Sequence, residues 1–150
     1  RRLEGPDTGI AGFSFVAVDP IHDLLIHGGG GRIRIFDRTA SGNVKPKAII
    51  GGPRSGFNGP NGAMTVHAPT GMIIASSRVS GTAGSQQLNN VGEVAVFSIY
   101  DTGDVPPRWT IGRGFLKVPR GVALDPEAKS MIVSDKVGNR IVTFHLPEIF

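Results

Sequence analysis

VPRGVALDPEAKSMIVSDKVGNRIVTFHLPEIF, residues 118–150, decides the fold. It contains three compact apolar runs: Gly121-Val122-Ala123-Leu124-Asp125, Met131-Ile132-Val133-Ser134 and Arg140-Ile141-Val142-Thr143-Phe144. Asp125-Pro126 and Lys136-Val137-Gly138-Asn139 separate them with turn residues. Short β-branched runs bounded by such turns predict three short strands rather than helix.

Two looser copies lie upstream. The first runs Ser14-Phe15-Val16-Ala17-Val18-Asp19-Pro20, then Leu24-Leu25-Ile26-His27, then Arg32-Ile33-Arg34-Ile35-Phe36. Gly28 to Gly31 are assigned to the turn inside it. The second runs Gly62-Ala63-Met64-Thr65-Val66, then Met72-Ile73-Ile74-Ala75, then Glu93-Val94-Ala95-Val96-Phe97. Phe36, Phe97 and Phe144 occupy one repeat position, at spacings of 61 and 47. The upstream copies each add a fourth run, Lys47-Ala48-Ile49-Ile50-Gly51 and Arg108-Trp109-Thr110-Ile111-Gly112. Each ends 15 residues after its phenylalanine, and Gly42, Val44 and Pro46 match Gly103, Val105 and Pro107 on the way. Arg1-Arg2-Leu3-Glu4-Gly5 reads as a third version of this run, with glycines at 5, 51 and 112.

Composition agrees with many short strands. Among 150 residues, 22 are glycine and 11 proline, with no collagen-like period. The absence of cysteine excludes disulfides, thiolate metal sites and cysteine nucleophiles. No apolar run approaches a membrane-spanning length. The net charge of +4 is mild and fits a solvated surface. The chain opens on Arg1 rather than methionine, which fits a processed or partial sequence from which a leader is already gone. An extracellular or periplasmic location is expected on this basis.

Four short strands in about 45 residues, repeated, is the pattern of a β-propeller blade. A β-sandwich explains short strands equally well but predicts no such self-similarity. The expected fold is therefore all-β, with about three four-stranded propeller blades. Blade one covers about residues 12–51, blade two about 60–112 and blade three about 118–150, with residues 1–4 as a possible outer strand for the last. Pro119, Gly121 to Pro126, Met131 to Asp135 and Asn139 to Phe144 carry a resemblance to NHL-type and six-bladed, TolB-like propellers. It covers nearly the whole chain. Two departures stand out: Gly28 is matched to Asp135, and His67-Ala68-Pro69 replaces the Asp-Pro turn. Known propellers have about four to eight blades. Three blades therefore imply completion by a second copy, by another protein partner or by further sequence.

The resemblance specifies fold far better than function, because propellers host lactonases, RNA binders and scaffolds alike. In NHL-like blades the aspartate at position 135 ties down its turn through backbone N–H groups, and that structural role is expected here. Asp19 and Asp125 are read as turn starters before proline. The histidines His22, His27, His67 and His145 show no metal-ligand spacing. Glutamate occurs only at 4, 93, 127 and 148, and Glu93 and Glu148 are read as strand-edge residues.

The middle copy carries an insertion within Ser76-Ser77-Arg78 to Gly92, rich in amides. Insertions in repeat proteins fall on one loop face, often the binding face. The candidate binding residues are Arg54, Phe57, Asn58, Asn61, Arg78, Gln86, Gln87, Asn89, Asn90, Arg113, Arg120, Lys136, Asn139 and Arg140. No catalytic residue, cofactor or metal ligand is assigned. The favoured reading is a non-catalytic interaction or scaffolding module that binds a protein or glycan through this loop face. Its rivals, both implied by the resemblance, are a lactonase or hydrolase with a divalent metal at the propeller axis, and an RNA-binding NHL-type propeller. One tryptophan and one tyrosine give little for base stacking, so nucleic acid is the less favoured partner.

Overall fold

The computed structural model of the chain describes residues 1–12, 14–56, 62–78 (Arg78 by its backbone) and 91–150. It is all-β, with three antiparallel sheets in chain order. The first contains β1 (Ser14–Asp19), β2 (Leu24–Gly29), β3 (Arg32–Asp37) and β4 (Ala48–Ile50). The second contains β5 (Met64–His67), β6 (Met72–Arg78), β7 (Gly92–Ser98) and β8 (Trp109–Ile111). The third has three strands, β9 (Pro119–Asp125), β10 (Ser130–Asp135) and β11 (Arg140–His145). Each sheet is a meander, so every hydrogen-bonded neighbour is also a sequence neighbour.

The registers show that the sheets are copies. Phe36 faces Leu25, Phe97 faces Ile73 and Phe144 faces Met131, each at the same step of its sheet. Side chains alternate across a strand, so this fixes two sets of residues per sheet. One face of the first sheet, with Ile26, Ile33 and Ile35, packs against Ile73, Ala75, Ala95 and Phe97 of the second. The opposite face of the second, with Ile74, Val94 and Val96, packs against Met131 and Val133 of the third. Both faces of the second sheet are thus buried, and β7 is buried along its whole length. Each fully buried isoleucine or phenylalanine contributes about 1.5–3 kcal/mol against exposure. The first strands, β1, β5 and β9, adjoin one another in succession.

A second device links consecutive sheets. Gly103 donates to the Ile49 carbonyl at 2.7 Å and accepts from Gly51 N–H at 3.0 Å, forming a parallel bridge with Ile50. Gly42 donates to Arg2 at 2.7 Å and accepts from Glu4 at 3.2 Å, bridging Leu3 in the same way. A 3-10 turn follows in each case, Pro53–Ser55 and Pro6–Thr8. Asp104 Oδ1 accepts from Arg54 N–H at 2.8 Å, and Asn43 Oδ1 accepts from Asp7 N–H at 2.8 Å. Residues 1–5 therefore hold the position of residues 48–52.

Three sequence readings are corrected here. Gly5 matches Gly52, not Gly51: both precede a 3-10 turn with left-handed φ, 118° and 147°. A match built on a basic residue and a glycine tolerates a one-residue slip that the hydrogen bonds do not. Gly28 and Gly29 belong to β2, and the turn is only Gly30-Gly31, with φ of 58° and 69°. Two consecutive positive values make the tight hairpin that suits twisted strands. With β2 so extended, the counterpart of Asp135 is Gly29, since Gly29 faces Arg32 as Asp135 faces Arg140.

Candidate binding site at the end of the third sheet

The turn between β10 and β11, residues 136–139, and the start of β9 converge on one end of the third sheet. Arg120, Ser134, Asp135, Lys136, Asn139, Arg140 and Ile141 line an open concavity of about 620 Å³ there. Asp135 is its foundation. Its carboxylate accepts from Val118 N–H at 2.8 Å, Lys117 N–H at 3.0 Å and Gly138 N–H at 3.3 Å. Arg140 adds Nε at 3.3 Å and a terminal nitrogen at 3.2 Å. Burial alone would raise this carboxyl's pKa, but the bonds from Val118, Lys117, Gly138 and Arg140 outweigh it and hold the value low. The structural role expected for Asp135 is thus what the geometry shows.

Two local features make the arrangement possible. Asn139 takes a left-handed conformation, φ 48°, which asparagine tolerates better than most residues. Gly138 leaves room for the ion pair: a Cβ there would fall 2.4 Å from Asp135 Oδ2 and 2.8 Å from Arg140 Nε. Arg140 also stacks its guanidinium 4.0 Å from the centre of the Phe115 ring and donates to the Phe115 carbonyl. Its charge is compensated by Asp135, so Arg140 frames the site more than it offers a free cation.

Arg120 and Lys136 differ. Both are exposed, and neither forms an ion pair among the described residues. The remaining residues contain no aspartate or glutamate, so the chain supplies no carboxylate to either. Exposed Val137 and Ile141, at 51% and 75%, add apolar surface beside them. The concavity therefore joins two uncommitted cations, an amide, a hydroxyl and an aliphatic lip. That combination suits an anionic, partly apolar ligand.

Of the sequence-predicted residues, the structure brings Arg120, Lys136, Asn139 and Arg140 together. Arg113 is held elsewhere: its Nε donates to Glu93 at 2.5 Å, and this pairing raises its pKa. Glu93 is a correction, since it is 2% exposed on β7 rather than at a strand edge. Arg54 lies on the Pro53–Ser55 turn, exposed, with its N–H bound to Asp104. Phe57, Asn58, Asn61, Gln86, Gln87, Asn89 and Asn90 lie outside the described residues, as does the side chain of Arg78. Ser134, Asp135 and Ile141 were missed as lining residues, although the same turn flanks them.

Sequence reasoning also missed a buried polar pair. His27 and Arg34 face each other across β2 and β3 and are 3% and 6% exposed. Ala75 and Ala95, or Val133 and Val142, stand at these positions in the other sheets. Arg34 donates to the Gly29 carbonyl at 2.8 Å, but its Nε and both His27 ring nitrogens have no hydrogen-bond partner among the described residues. The usable signal was their phase: both fall on the apolar step of the repeat.

Burial, then the Arg34 charge, lowers the His27 pKa below its usual 6.5. The unfolded chain therefore binds a proton that the folded chain refuses as pH falls below 6.5. Stability is expected to fall with acidification by up to about 1.4 kcal/mol per pH unit from this residue alone. Urea titrations at pH 7 and 5.5 check this: His27→Ala, which copies Ala75, should show the smaller loss.

Among the described residues no group of three or more His, Cys, Asp or Glu is placed to hold a metal ion. No described helix is long and apolar enough to cross a membrane. No protein-family model matches the chain, and no curated protein matches it.

Proposed function

We propose that the chain is a three-blade part of a six-bladed, NHL/TolB-like propeller acting as a non-catalytic interaction module. The three copied meanders, their face-to-face stacking and their adjoining first strands support the propeller reading. The observation that carries the interaction reading is the pair of uncommitted cations, Arg120 and Lys136, in one concavity on a rigid frame. The frame is set by Asp135 and Arg140, so the site needs no rearrangement to accept a ligand. The partner it fits is an acidic segment of another protein, with a sulfated or uronic glycan as the second anionic class.

The test uses polyglutamate, heparin and single-stranded RNA as probes for the wild-type chain and the Arg120→Glu/Lys136→Glu variant. Exposed ion pairs contribute up to about 1 kcal/mol each, so affinity for polyglutamate should fall about tenfold or more, with unchanged melting. Wild-type affinity should also decline with salt. Polyglutamate binding that ignores both substitutions would sink this site. Tight binding of RNA alone would transfer the reading to the RNA-binding class.

A further inference from the structure

We infer that the first sheet binds a small carboxylate anion, of formate or acetate size, against the buried guanidinium of Arg34. The site lies inside the chain, at the end of the sheet where β2 turns into β3, and is separate from the basic concavity of the third sheet.

The position follows from the repeat. Gly29 faces Arg32, Ser77 faces Glu93 and Asp135 faces Arg140, so these pairs occupy one step of the three sheets. Beside each pair runs the segment that leads into the sheet. Thr8, Ser55 and Leu116 hold matching places in it, and each is 1% exposed. Gly9, Gly56 and Lys117 follow them. In the second sheet a Cβ at Gly56 would lie 4.0 Å from Glu93 Oε1. In the third, Lys117 N–H donates to the Asp135 carboxylate at 3.0 Å. In the first, a Cβ at Gly9 would lie 3.0 Å from Arg34 Nε. Arg34 reaches this step because its guanidinium runs back along β3 to the Gly29 carbonyl. The later sheets thus place a buried carboxylate here and pair it with an arginine, Glu93 with Arg113 and Asp135 with Arg140. The first sheet places the arginine here without the carboxylate.

The chain does not supply the missing charge. All 12 of its acidic side chains belong to described residues, and none forms an ion pair with Arg34. Yet Arg34 is only 6% exposed. Burial, then the charge of Arg32, lowers its pKa, the direction for a cation without a counter-charge. Its Nε and both ring nitrogens of His27 lack a hydrogen-bond partner among the described residues. His27 is the cross-strand partner of Arg34, so both side chains lie on one face. A water molecule would accept from these nitrogens but leave the charge uncompensated. A carboxylate does both, and its two oxygens match the fork of a guanidinium. The close approach of Gly9 restricts the occupant to a small anion.

The repeat also supplies the test, because the carboxylate can be built into the chain. Gly29 lies in the extended backbone of β2, at the step where the third sheet carries Asp135. Urea unfolding at pH 7 is compared in sodium formate, about 100 mM, and in sodium chloride of equal ionic strength. The unfolding constant of the wild-type chain should be about tenfold lower in formate, as for a ligand present at about ten times its Kd. Arg34→Met keeps an unbranched stem and removes the charge, so the two salts should then give equal constants. Gly29→Asp should unfold about tenfold less than wild type in chloride and gain nothing from formate. Equal constants for the wild-type chain in the two salts would overturn the carboxylate assignment. A formate effect that survives Arg34→Met would overturn the site. If Gly29→Asp does not fold, the wild-type and Arg34→Met comparison decides alone.

Discussion

Replacing Asp135 with alanine is expected to cost the chain about 3–5 kcal/mol, the range for removing one partner of a buried ion pair. The side chain is fully enclosed, while that of Arg140 is 34% exposed. The loss also strands the N–H groups of Lys117, Val118 and Gly138, each of which has its carboxylate acceptor at 2.8–3.3 Å. Asp135→Asn keeps the size and one acceptor oxygen, so it should cost less than half as much. Urea denaturation of the three proteins measures this. Acid gives an independent check, because the folded-state pKa is depressed. The stabilisation is complete above the unfolded value of 3.8 and is lost as pH falls through the lower folded one. Asp135→Asn should lack that acid limb. A near-neutral alanine variant would mean that the concavity has no fixed frame, and the binding reading would weaken with it.

Asp135 also marks how far the sequence could be read. Its tie to the turn was expected from the resemblance to NHL-like blades, and its partners Gly138 and Arg140 are near in sequence, whereas Lys117 and Val118 are not. The repeat was legible because period-2 alternation and fixed turn lengths are local, and they placed Phe36, Phe97 and Phe144 in one register. Clustering of Lys136, Asn139 and Arg140 followed from their single hairpin, and Arg120 joined them through β9 beside β10. What stayed hidden depends on distant partners. Glu93 looked like an edge residue until β6 and β8 covered β7, and its partner Arg113 lies 20 residues on. Within its own strand, Arg32-Ile33-Arg34-Ile35, Arg34 alternates as a polar residue, and only alignment with Ala95 of the second sheet sets it on an apolar step. Alternation assigns a side chain to a face, but only the neighbouring elements decide whether that face meets water.

The same distinction sets the second large effect. Phe97→Ala is expected to cost about 3–5 kcal/mol, as for a large aromatic removed from a packed core. Phe97 is fully buried between the first and second sheets, among Ile26, Ile35 and Ile73. Backbone hydrogen bonds hold β6 and β7 in place on either side of the vacancy, so the surroundings can collapse only slightly. Phe144 has the same repeat position but is only partly buried, packed against the second cluster with Leu146 and Phe150. Phe144→Ala should therefore cost clearly less, about 1–2 kcal/mol, since part of its surface already meets solvent. Equilibrium unfolding of both variants tests the difference. Equal losses would contradict the stacking order, because they would require the third sheet to be as enclosed as the second. A larger loss at Phe144 would place the enclosed sheet at the end of the chain rather than in its middle. The expected order puts the greatest burial where a sheet has a neighbour on both faces.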